Sequence, residues 1–205
     1  MNLSKTFFIF VFLLFSASTS IAQEPKCSLK LAQLPDAPEL RGFHLGMTVG
    51  EARRRVPTLI LGAADEFGLA STSVNPDFDG KLDKESFDGV RTVSMDFLDG
   101  RLTDLWIGYH GSEKWKNLDA FVSIVNRSLG FPNIWQTNSH GRQLACEDFQ
   151  ASVQMIGGGP SLRISDSAAR QTWEERRTEK EDMEEQRPEE KPVEKQTETK
   201  KPTQY

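Results

Sequence analysis

The chain has 205 residues, two cysteines and a formal net charge of −5, with charges of both signs spread along it and a basic face in neither half. That distribution disfavours nucleic-acid binding. Once an N-terminal leader and a charged C-terminal stretch are set aside, what remains suits one domain with one hydrophobic core.

The leader covers residues 1–22. Lys5 precedes an apolar run over 7–15, and small polar residues follow it, ending in Ser20-Ile21-Ala22. These are the three regions of a secretory signal peptide, with cleavage expected after Ala22. The run is too short for a membrane span, which needs about 20 residues, and no later segment approaches that length, so the mature chain is expected to be secreted or periplasmic. Two cysteines in an exported chain most simply pair, which predicts a Cys27–Cys146 disulfide. In the chain-entropy model a loop that long contributes about 4 to 5 kcal/mol. The residues before Cys27 are Glu24-Pro25-Lys26 rather than small aliphatic ones, which argues against lipidation. Residues 23–40, with Pro35 and Pro38, read as a linker carrying the disulfide cysteine.

Residues 41–166 read as a single α+β domain, and its sharpest local signal is Leu45-Gly46-Met47-Thr48-Val49-Gly50-Glu51-Ala52. Thr48 is placed as an N-cap, and Glu51 three residues on completes a capping box. Pro57 ends the helix after about two turns. This entry resembles the "GMT-x-x-E/Q-V" helix start of the SmpA/OmlA-like and beta-lactamase-inhibitor-like envelope domains, small secreted α+β modules that act by binding other proteins. Gly46, Met47, Thr48 and Glu51 carry the resemblance. It implies a fold role for these four residues and favours binding over catalysis.

A strand is expected somewhere in residues 69–74. Residues 75–85 place Asn75, Asp77, Asp79, Gly80, Leu82 and Asp83 where an EF-hand loop has ligands, turn glycine and apolar residue. Position twelve is Ser86, however, with Glu85 one place early, so a polar loop between strands explains the letters better. The acidic region over 65–85 stays open as a calcium- or ligand-binding alternative, or as the site of a small enzyme.

Residues 90–109 carry the strongest strand signal. Val93, Met95 and Phe97 alternate, as do Leu105, Ile107 and Tyr109, around a turn at Asp99-Gly100. A three-residue loop with Gly100 as a bulge is expected, because it sets Val93 opposite Leu105 and Met95 opposite Thr103 and keeps the apolar residues on one face. That choice sends Trp106 to the other face with Leu102, Asp104, Ser94 and Asp96. An aromatic on a polar sheet face is a candidate partner contact, and neighbouring Tyr109 is offered as a second anchor.

Next comes a helix capped by Ser112 or Asn117, in which Trp115, Leu118, Phe121, Val122, Val125 and Leu129 form one apolar stripe. Gly130 and Pro132 end it. Strands follow over 134–137, 143–147, 149–156 and 162–165, with Gly157-Gly158-Gly159-Pro160 as a turn. The order helix, strands, helix, strands predicts one antiparallel sheet of about five to six strands carrying two main helices on a single face, and suggests two similar halves, each a helix with about three strands. Residues 167–205 are too poor in apolar side chains to build a core and read as a charged, flexible or helical tail. His44, His110 and His140 are scattered beside glycines or turns, and no catalytic or metal-ligating constellation is formed. The expectation is therefore an exported protein-binding module with no cofactor, whose partner is another envelope or secreted protein.

Overall fold

The computed structural model describes residues 26–111, 115 and 117–186. The expected signal peptide and residues 187–205 lie outside that range, as does Ser112.

Seven strands form one antiparallel sheet: β1 (Leu69–Val74), β2 (Val90–Leu98), β3 (Arg101–Tyr109), β4 (Gln136–Asn138), β5 (Gly141–Ala145), β6 (Phe149–Ile156) and β7 (Gly159–Asp166). Their spatial order is β1-β2-β3-β7-β6-β5-β4. Three helices complete the α+β domain: α1 (Val49–Arg55), α2 (Leu118–Leu129) and α3 (Ser167–Glu185). The halves are visible in this order. A helix and the meander β1-β2-β3 are followed by a helix and the meander β4-β5-β6-β7, and the two meanders join where β3 pairs with β7. The sheet has seven strands rather than five or six, because β1 and the three-residue β4 are both paired along their whole lengths.

The first helix begins as its capping chemistry requires. The Thr48 hydroxyl accepts from the Glu51 N–H at 3.2 Å, and the Glu51 carboxylate accepts from the Thr48 N–H at 2.7 Å. The Thr48 N–H, together with the Thr48 hydroxyl, which donates to the same carboxylate at 2.9 Å, holds the Glu51 carboxyl below its usual value. In α2 the Asn117 side chain accepts from the Ala120 N–H, and Gly130 ends the helix with φ of 71°. Its stripe of Phe121, Val122, Val125 and Leu129 is buried against the inner face of the sheet, where Val93, Met95, Phe97, Ile107, Phe149 and Val153 are all fully enclosed.

The β2–β3 hairpin departs from the expected loop. Leu98 pairs with Arg101, so Asp99-Gly100 is a two-residue turn, with φ of 50° and 77° at the two positions, the left-handed pair such a turn demands. Gly100 is thus the second turn residue and not a bulge. The irregularity lies one step further on, between Asp96 and Phe97 on β2, where Thr103 is the extra residue on β3. Beyond it Met95 faces Leu105 and Val93 faces Ile107. The apolar set therefore stays on one face, as half-burial requires, by a bulge in the strand instead of a longer loop. The bulge also turns Leu102 inward, opposite Phe97, where it is fully buried; the expected place for Leu102 beside Trp106 was wrong for this reason.

One expectation about the chain ends is corrected as well, and for the tail the helical alternative holds. Residues 26–40 are part of the domain: Cys27, Ala37 and Leu40 are buried in the core, and the Cys27–Cys146 disulfide ties this segment to the end of β5 with a Cα–Cα distance of 4.5 Å. The start of the charged tail is a 19-residue helix, α3, held on the outer face of the sheet. The Asp166 side chain caps it by accepting from the Ala168 and Ala169 N–H groups.

Candidate functional site

The outer face is built from the alternate residues that the core does not use. One row runs across all seven strands as Ser73, Ser94, Trp106, Arg163, Ser152, Gln143 and Gln136. The row beside it holds Ser71, Asp96, Asp104, Ser165 and Gln150. Five of these twelve residues are serines, and the Ser94 hydroxyl donates to Ser73 at 3.1 Å. Trp106 is the one large aromatic in these two rows, near the middle of the sheet. It is partly buried, and among the described residues its indole N–H has no hydrogen-bond acceptor.

Tyr109 is not part of this surface. It lies three residues after Trp106, hence on the inner face, with 1% of its surface exposed. It packs on Phe121 and Trp115 and donates its hydroxyl proton to the Glu39 carbonyl oxygen. Burial pushes that hydroxyl far above the usual tyrosine range, so Tyr109 is a core residue and not a partner anchor.

Around Trp106 the charges are ordered. On the α3 side, Asp96 and Asp104 face each other on adjacent strands, an arrangement of like charges that costs stability unless compensated. Asp104 is compensated: Arg163 Nε donates to both carboxylate oxygens at 2.9 Å, and the Ser165 hydroxyl adds a third bond. Burial still raises the Asp104 carboxyl above the ordinary aspartate value, with Ser165 and Arg163 pulling the other way. The Asp96 carboxylate has no hydrogen-bond or ion-pair partner among the described residues.

On the far side of Trp106 the strand carries Gly108, where a side chain would press on the Thr92 methyl at 3.0 Å and meet the Arg91 guanidinium at 3.4 Å. The irregularity between Val90 and Thr92 frees Arg91 from the ladder, and its guanidinium crosses Gly108 to donate to the Gly157 carbonyl at 2.9 Å. No carboxylate pairs with Arg91 among the described residues.

α3 forms one wall of this surface. Trp173 meets Phe67 edge-on at 6.2 Å between ring centres and donates its indole N–H to Asp65 at 3.2 Å. Arg176 donates to the Phe67 carbonyl and to both oxygens of Asp99, and Lys180 pairs with Glu66. Between helix and sheet lies a cleft of about 270 Å³, whose walls include Asp96, Asp104, Arg163, Leu98, Arg170 and Trp173.

The acidic loop uses its carboxylates on its own backbone and on neighbouring segments. Asp79 accepts from Thr58 and from the Lys81 N–H, Asp83 from Ser86 and the Glu85 N–H, and Asp77 pairs with His110 at 3.0 Å. Among the described residues, no three His, Cys, Asp or Glu side chains converge in a way that would hold a metal ion. His44 and His140 lie apart, each bonded only to nearby backbone or side-chain groups of its own turn. The loop does expose apolar surface, since Phe78 and Ile60 are 88% and 84% exposed and border the β1 edge together near Ser73.

The sequence put Trp106, Asp96 and Asp104 on one face but missed the Arg91 reach, Arg163 and the α3 wall. Gly108 was the available clue: a glycine two residues from Trp106 in a strand signals that something crosses closely. Compared with family models, curated proteins and solved structures, the chain matches none. No helix among the described residues is long and apolar enough to cross a membrane.

Proposed function

We propose that this chain is an exported, non-catalytic protein-binding module that takes another envelope or secreted protein on the outer face of its sheet, with Trp106 as the anchor. The observation that carries the reading is Trp106 itself. It is a partly buried tryptophan set between Ser94 and Arg163 on the adjacent strands, near the middle of the outer sheet face, with an unsatisfied donor. Interfaces concentrate such residues because a large ring gains much area at small entropic cost, and its N–H supplies direction. The disulfide agrees with an oxidising compartment, the leader pattern agrees with export, and the resemblance of the Gly46 to Glu51 helix entry to envelope binding domains points the same way.

The test is capture from envelope extract and culture fluid by the oxidised protein and by Trp106→Ala. Retention of a specific partner should fall at least tenfold in the variant while its unfolding midpoint stays put. Equal capture by both proteins would remove Trp106 from recognition and end this reading.

A further inference from the structure

The outer face carries an ordered charge pattern as well as an aromatic. Along β3 the order is Asp104 with Asp96 across from it, then Trp106, then Gly108 with the Arg91 guanidinium over it. At about 3.4 Å per residue, the acidic and basic ends are roughly 14 Å apart. Asp104 is neutralised by Arg163, which leaves Asp96 and Arg91 as one carboxylate and one guanidinium without a charged partner among the described residues. The cleft under α3 gives the acidic end depth. At the basic end Arg91 is fixed by the Gly157 carbonyl, so its remaining donors are oriented before anything binds.

From this pattern we infer that the partner docks an extended segment carrying a basic, an apolar and an acidic side chain at alternate positions, over Asp96, Trp106 and Arg91 in that order. The inference rests on the proposed binding role of the outer face and specifies its occupant. An extended chain places residues i and i+4 about 13 to 14 Å apart on one side, which matches the separation of the two charged ends. The basic group enters the cleft at Asp96, the carboxylate that Arg163 leaves without a charged partner. The apolar group covers the Trp106 ring, and the acidic group receives Arg91. Such charge complementarity sets register and selectivity more than raw affinity.

The experiment uses three blocked heptapeptides, Ser-Arg-Ser-Leu-Ser-Glu-Ser and its versions with two arginines or two glutamates. Each is titrated into the oxidised full-length protein while the Trp106 indole and the backbone amides of residues 94–96 and 104–108 are followed by NMR. The mixed-charge peptide should bind at least tenfold more tightly than either like-charged one and shift those signals. Asp96→Arg should invert the preference towards the two-glutamate peptide, and Asp96→Asn, a milder change, should erase it. Equal affinities, no perturbation, shifts confined to the acidic loop at 75–88, or an unchanged ranking in Asp96→Arg would each overturn the inference. If Trp106→Ala abolishes partner capture while the peptides show no ranking, the binding role stands and only the charge pattern falls.

Discussion

Helices α2 and α3 sit on opposite faces of the same sheet and are attached by different physics. α2 sends Phe121, Val122, Val125 and Leu129 into the core, whereas α3, although longer, has no buried residue at all. What holds α3 is the Trp173 ring on Phe67 with its indole bond to Asp65, Arg176 on the Phe67 carbonyl and both Asp99 oxygens, and a lysine ion pair. Apolar burial is non-directional and cooperative, so losing α2 means losing the domain. Rim ion pairs are worth little individually and are open to solvent. The same sheet therefore carries one helix that is part of its stability and one that can leave without unfolding it.

Breaking the first attachment should give the largest effect. Phe121→Ala should cost about 3 to 5 kcal/mol, seen in urea denaturation as one cooperative transition at lower midpoint; a shift under about 1 kcal/mol would mean that α2 is not integral to the core. Trp173→Ala should move the global midpoint by less than about 1 kcal/mol while amide exchange across 167–185 rises sharply. A single coupled loss of both would make α3 part of the same cooperative unit. Acidification sharpens the contrast further at the smallest cost. The Arg176 guanidinium holds the Asp99 carboxyl below its usual value, so its contribution is complete above about pH 4, the ordinary aspartate pKa, and is lost as pH falls through the lowered value. Trp173 fluorescence should therefore report release of α3 only below about pH 4, with the core signals of α2 still native. Release already at pH 5 to 6 would contradict that assignment.

The legible features were the local ones. Thr48 and Glu51 are three residues apart, and their capping box follows from spacing alone. The α2 stripe is a periodicity, and the disulfide follows from counting two cysteines. That cysteine pair spans 119 residues, but the other features that depend on distant pairing were not legible. Asp65, Phe67 and Asp99 are far from α3 in the chain, Phe67 lying 109 residues before Arg176, so nothing in the charged composition of residues 167–185 announced a docking surface. The hairpin erred for a subtler reason. Parity of alternation was correct, but two devices restore it, a longer loop or a bulge, and side-chain pattern cannot choose between them. Tyr109, by contrast, was readable: it shares the alternation of Leu105 and Ile107, which already assigned it to the core.

The position of β7 has a consequence for the order of synthesis. The strand that joins the two meanders at the centre of the sheet is the last to be made, at residues 159–166. Until it emerges, β3 and β6 each end in an unpaired edge, and neither half-sheet has its neighbour. The domain therefore cannot close progressively from its N-terminus as multidomain chains do. A product clipped before residue 159 would display two raw edges, the template on which β-rich chains aggregate.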